Sequence, residues 1–239
     1  MNYYFITGTS SGIGQALATE LLKNENNHVF GISRRQNLMD VNFTPVVLNL
    51  ANIEEVNGFH FPKLENPEKV VLINNAGQIG DIKPIGDSDN KAIADLFTVN
   101  VTSVAIFMNK FISNYASLPV AKTILNVSSG AGKNPIEGWA TYCGSKAAVD
   151  LLSLTTFTEQ QRALNPVMVY SIAPGVVDTE MQASIRASNE KDFSKHKHFV
   201  DLKANNELTS PLEVADKYIM ILNQPENFKA CIFSLRDVK

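Results

Sequence analysis

Short apolar, β-branched or aromatic runs alternate with longer stretches of helical character along most of the chain, and this alternation restricts the fold more than any other feature. Tyr3 to Thr7, His28 to Ser33, Pro45 to Leu50, Lys69 to Asn74, Thr123 to Ser128, Val167 to Ile172 and Ala230 to Leu235 read as strands bounded by turn residues. Ile13 to Lys23, Asn90 to Tyr115, Thr141 to Leu164 and Pro211 to Leu222 have helical spacing or composition. Strands apolar on both faces and separated by helices indicate a parallel sheet covered on both sides. The expectation is an α/β, doubly wound parallel sheet of about seven strands, with residues 1–239 forming a single domain. One long irregular segment is expected from Thr179 to about Thr209.

Composition bears on partners and setting. The 239 residues carry a formal net charge of -3, with 44% hydrophobic and 19% charged residues, as in an ordinary soluble globular protein. The acidic balance argues against nucleic-acid or anionic-membrane binding. Apolar runs such as Val70 to Ile73 are too short to span a bilayer, and the residues after Met1 lack a basic leader. Two cysteines, Cys143 and Cys231, make no disulfide framework, so a reducing, cytoplasmic setting is expected.

The first strand is followed by Thr7-Gly8-Thr9-Ser10-Ser11-Gly12-Ile13-Gly14, which opens the first helix. Glycines here let the backbone turn tightly and approach a pyrophosphate, whose charge the helix N-terminus favours. Gly8, Ser10, Ser11, Gly12, Ile13 and Gly14 are therefore candidate cofactor contacts. Where an NAD-binding chain would place an acidic residue for the ribose, this one has Ser33-Arg34-Arg35. A guanidinium binds a 2′-phosphate that a carboxylate would repel. NADPH/NADP+ is thus the expected cofactor, with Arg34 the main phosphate ligand and Ser33 assisting.

Tyr142 and Lys146 stand four residues apart, on one face of a helix and one turn from each other. An ammonium beside a phenol favours the phenolate and pulls the phenol pKa down toward neutrality. The pair by itself would equally suit an amphipathic helix with a half-buried Tyr and an exposed Lys.

The glycine spacing G-x-x-x-G-x-G, together with the Tyr142–Lys146 pair, resembles the short-chain dehydrogenase/reductase family, whose fold is of the Rossmann type. The resemblance implies a catalytic serine thirteen positions before the tyrosine, which selects Ser129 rather than the structural Ser128. It also implies that Asn100 is the helix asparagine that connects the lysine to water. Asn49-Leu50 then stands near the adenine, Asn75, Ala76 and Gly77 of the Asn74-Asn75-Ala76-Gly77 turn support the adenosine side, and Pro174, Gly175, Val177 and Thr179 adjoin the nicotinamide and pyrophosphate.

Lys133-Asn134-Pro135, Gly138 to Cys143 and Asp178 to Gln182 are further similar to the bacterial benzil reductases that form (S)-benzoin, and to sepiapterin reductases. That likeness implies an NADPH-dependent carbonyl reductase acting on a ketone or vicinal diketone. The alternatives are an NADP-dependent alcohol dehydrogenase on a sugar, steroid or hydroxyacid, and a non-catalytic NADP(H) sensor. Trp139, Ile79, Met181 and Phe193 are candidates for the substrate wall, and residues 180–209 for a lid. Asp237 is the nearest acidic candidate for a pterin anchor. Lys195 to His198 reads as a solvated helix face, and no Cys/His spacing suggests a metal site. Relatives pair through helices corresponding to Asn90–Tyr115 and Thr141–Leu164, which implies a homodimer, with tetramer packing through the C-terminal end doubtful.

Overall fold

The computed structural model describes residues 1–36 and 38–238. Among them, seven strands form one parallel sheet: β1 (Asn2–Thr7), β2 (Asn27–Ser33), β3 (Phe43–Val47), β4 (Lys69–Asn74), β5 (Ala121–Val127), β6 (Met168–Ala173) and β7 (Ile232–Ser234). Their order is β3-β2-β1-β4-β5-β6-β7, so strand order reverses between β1 and β4. Loops on either side of such a reversal diverge and leave a crevice at the carboxyl ends of the strands.

The pleat decides which residues face which layer. Tyr4 and Ile6 of β1 face a core formed with Leu17, Ala18 and Leu21 of α1 (Gly12–Leu22) and with Val214, Tyr218 and Ile221 of α8 (Pro211–Asn223). Phe5, between them, faces the opposite core with Val104, Phe107, Met108 and Phe111 of α4 (Ser103–Tyr115). Each such fully buried Leu or Phe contributes roughly 1.5–3 kcal/mol of transfer free energy. Two apolar faces explain why the strand runs lack the alternation of a half-exposed sheet. Ser210 closes a capping box with Glu213 at the start of α8, and Pro211 supplies its preset φ.

The expected helix Asn90–Tyr115 is interrupted at its centre. α3 (Asn90–Phe97) and α4 flank a π turn, Thr98–Thr102, in which the Ser103 N–H reaches back to the Thr98 carbonyl. By length and composition the 26-residue helix could cross a membrane, contrary to the reading of short apolar runs. Its apolar face instead packs against the sheet through Phe107 and Phe111.

Other differences have local causes. β3 lies earlier than Pro45–Leu50 because its ladder with β2 runs from Val29 opposite Phe43 to Ser33 opposite Val47, where β2 ends. A short helix, α2 (Ile53–Gly58), was not expected; Asn52 caps it by accepting from the Glu54 and Glu55 N–H groups. α5 spans Ala140–Gln160, four residues short of Leu164.

The segment expected to be irregular is largely helical. It contains α6 (Glu180–Arg186) and α7 (His196–Ala204). Its two ends are tied together by a parallel bridge between Val177 and Thr209, with Asp178 N–H donating to the Thr209 carbonyl at 3.0 Å. Lys203 of α7 also meets Asp178 at 2.6 Å.

Candidate active site

The carboxyl ends of β1, β2, β4, β5 and β6 open into one cavity of about 1080 Å³. At one end the β1–α1 turn contributes Gly8, Ser10, Ser11, Gly12 and Ile13 to its wall. Gly8 and Gly12 have φ of +79° and +58°, a region that other L-residues enter at a cost. Gly14 lies behind the wall: a Cβ there would stand 2.3 Å from the Gly8 carbonyl oxygen. Its role is to let the turn fold onto the helix. Thr7 clamps this turn to the β4 turn, its Oγ1 accepting from the Asn75 and Ala76 N–H groups at 3.0 Å each. Asn75 returns a hydrogen bond to the Thr7 carbonyl at 2.9 Å.

Arg34 and Arg35 are exposed beside the cavity at the end of β2. Ser33 is buried and donates its hydroxyl to the Arg35 carbonyl, which shapes the arginine turn. Asn49 and Leu50 border the same end, but the Asn49 Oδ1 accepts from the Ala51 N–H at 3.1 Å and is engaged within its own turn. Asn75, Ala76 and Gly77 line the middle of the cavity, with Pro174, Gly175, Val177 and Thr179 opposite.

The chemical groups converge from β5 and α5. Ser129 follows β5 in extended conformation and its Oγ accepts from the Ala131 N–H at 3.2 Å. Tyr142 and Lys146, on the inward face of α5, are 6% and 5% exposed. Lys146 donates to the Val127 carbonyl at 2.8 Å, and its Nζ lies 5.8 Å from the Tyr142 ring centroid. Burial pushes the Tyr142 phenol up to about 12, opposed by its hydrogen bond with Ser129. Burial lowers the Lys146 ammonium to about 8, opposed by the charge of Asp150. The sequence-based expectation of a depressed phenol pKa is therefore corrected: burial dominates and raises it, while the neighbouring ammonium is directed at a strand carbonyl.

Asn100, in the π turn, is 1% exposed and does not line the cavity. Its side chain accepts from the Gln78 N–H and donates to the Gln78 carbonyl, both at 2.9 Å, and donates to Ser145 Oγ at 3.2 Å. A Cβ on Gly77 would sit 3.4 Å from Asn100 Oδ1 and 3.7 Å from Lys146 Nζ, so these two side chains flank the same glycine.

At the far end, Trp139, Ile79 and Met181 line the cavity. Trp139 meets Tyr142 edge-on, with centroids 5.6 Å apart. Phe193 is corrected: it is fully buried behind the wall, stacked on Trp139 at 5.1 Å. Its backbone neighbour explains Gly138, whose Cβ would stand 2.6 Å from the Asp192 carbonyl oxygen. Lys195 and His198 reach the cavity margin, whereas His196 bonds the Arg186 carbonyl at 2.9 Å. Asp237 also borders the cavity while its carboxylate accepts from the Ser234 N–H at 3.3 Å.

Sequence reasoning missed Gln182, Ile185 and Phe199, which line the cavity from α6 and α7. It also missed the buried Asp150, whose Oδ1 accepts from Ser128 and Ser171 hydroxyls at 2.6 Å each. The one available signal was an Asp one helical turn beyond Lys146, on a face that had to be buried.

Residues 2–190 match the family model for short chain dehydrogenase. The chain is 36% identical over 241 residues to benzil reductase ((S)-benzoin forming) of Bacillus cereus, covering 95% of this chain and 96% of the relative. It is 35% identical over 230 residues to the enzyme of that name from Bacillus subtilis (strain 168), covering 94% of each. Sepiapterin reductase of Meriones unguiculatus is 31% identical over 172 residues, covering 71% of this chain and 63% of the relative. The crystal structure of the KRED1-Pglu enzyme superposes with a TM-score of 0.83 at 26% identity, over 98% of this chain and 100% of that one. With the Gly8–Gly14 turn, Ser129, Tyr142 and Lys146 gathered at the crevice of the sheet, these matches establish that the chain is an oxidoreductase belonging to the short-chain dehydrogenase family.

Proposed function

We propose that this enzyme uses NADPH to reduce a ketone or one carbonyl of a vicinal diketone, with Tyr142 as general acid. The observation that carries the reading is that one cavity joins the β1–α1 turn and Arg34 to Ser129, Tyr142 and Lys146, and ends in an apolar wall. The family uses nicotinamide cofactors, and the residues fit one. The turn is closed so tightly that the Gly8 and Gly14 positions leave no room for a Cβ, which brings backbone N–H groups to where a pyrophosphate would lie. Exposed Arg34 beside it supports NADPH over NADH. The benzil reductases named above supply the dicarbonyl class.

Bound NADPH would supply the hydride. Ser129 donates a hydrogen bond to the substrate oxygen and stabilises the charge growing there. Tyr142, protonated at neutral pH, delivers the proton to that oxygen. Lys146 holds a positive charge beside the phenol and would hold the ribose of the cofactor. Asn100 fixes the Gln78 backbone next to Gly77, the glycine that Asn100 and Lys146 flank. α6 and α7, tied at the Val177–Thr209 bridge, serve as a lid that brings Met181 and Phe199 over the substrate. Exposed Leu151 and Leu154 on α5 and Phe97 on α3 favour a homodimer packed through these helices. Free Cys143 and Cys231 agree with a reducing, cytoplasmic setting.

The test is NADPH oxidation with a panel of dicarbonyls including benzil, beside NADP+ reduction with sugar, steroid and hydroxyacid alcohols. Dicarbonyl-dependent oxidation is expected. Faster turnover of alcohols would favour the dehydrogenase reading, and tight NADPH binding without turnover would favour a sensor.

A further inference from the structure

Asp150 has no place in the mechanism above, yet it is 7% exposed and borders the cavity. A carboxylate removed from water is costly unless partners satisfy it. Its partners come from three elements. Ser128 at the end of β5 and Ser171 in β6 both donate to Oδ1 at 2.6 Å. Lys146 stands one helical turn earlier on the same face of α5. Oδ2 lies against the Gly132 turn, 2.9 Å from where a Cβ would be. Among titratable groups, Cys231 beside β7 also faces it, its thiol raised to about 11 chiefly by burial and further by Asp150.

We propose that Asp150 is a positioning residue, a buried counter-charge one helical turn from Lys146, whose Oδ1 also joins Ser128, the neighbour of Ser129, to β6. This rests on the assignment of Lys146 to the proton-transfer site. The arrangement has a separable design. Both hydroxyls bond one oxygen, so Asp150→Asn retains an acceptor at Oδ1 and removes only the charge. Ser128→Ala and Ser171→Ala remove the bonds and leave the charge.

The test follows Lys146 directly, by NMR titration of full-length protein labelled at lysine Cε, with its signal identified by loss in Lys146→Met. An opposite charge within about 4–6 Å favours the ionised form by about one pH unit or more. The Lys146 midpoint is thus expected to fall by about one unit in Asp150→Asn, return in Asp150→Glu, and stay near wild type in each serine variant. An unchanged midpoint in Asp150→Asn overturns the proposal. So does an equal fall in the serine variants, which would assign the effect to packing. If Asp150→Asn does not fold, Asp150→Ser gives the same comparison with space for water. In turnover, Asp150→Asn is expected to lose roughly tenfold at pH 8.5 and less than twofold at pH 6.5. If the wild type turns over no carbonyl, the assigned reaction fails while the titration still decides the role of Asp150.

Discussion

Lys146 gives its ammonium to the carbonyl of Val127, 2.8 Å away at the last residue of β5. The strand thereby fixes the cation, leaving it 5.8 Å from the centre of the Tyr142 ring. Burial raises the Tyr142 phenol further above its ordinary value, so its proton stays on across the neutral range.

This sets a pH dependence. Lys146 is lowered to about 8, so its charge is present below that pH and lost above it. Tyr142, raised to about 12, stays protonated across the same range. The rate of carbonyl reduction should therefore hold from about pH 6 to 7.5 and fall as pH rises through about 8. Initial rates across pH at saturating NADPH check this.

Arg34 should carry the phosphate discrimination. Arg34→Ala is expected to weaken NADPH binding about tenfold or more and to change NADH binding little, since a charge-assisted hydrogen bond is worth roughly 1.5–3 kcal/mol. Fluorescence titration with both cofactors measures the ratio.

Gly138 has φ of +77° and faces the Asp192 carbonyl. Gly138→Ala should cost about 1–3 kcal/mol from the backbone conformation alone and loosen the α6–α7 segment from Trp139. A lower Tm together with earlier proteolytic cleavage between 180 and 209 is the expected outcome.

The exposed leucines of α5 offer a test of assembly. Leu151 is 65% and Leu154 42% exposed, and charges at a packed helix face are costly. By light scattering, the native chain is expected to elute as a dimer and the double variant Leu151→Glu, Leu154→Glu as a monomer.

What could be read from the chain depended on the range of the interactions involved. The Gly8–Gly14 turn, Ser129, Tyr142 and Lys146 were legible because each motif is local and their order along alternating strands and helices places them at one sheet edge. The π turn at Asn100 was not, since one extra residue per turn scarcely disturbs an apolar pattern. α6 and α7 were hidden because they are short and polar at Lys195 to His198, and are held by Trp139 stacking on Phe193 from far along the chain. Asp150 escaped because its partners Ser128 and Ser171 lie 22 and 21 residues away and meet it only across the sheet. The direction of the phenol pKa was hidden because it is set chiefly by burial, which the spacing of Tyr142 and Lys146 does not report.

Tyr142 is proposed to protonate the substrate oxygen. The most direct measurement compares wild type and Tyr142→Phe for NADPH oxidation with benzil, beside NADPH binding by fluorescence. Removing a general acid costs about 10²–10⁴-fold. A loss of that size in turnover is expected, with NADPH affinity within about threefold of wild type. Turnover retained in Tyr142→Phe at near the wild-type rate would contradict it.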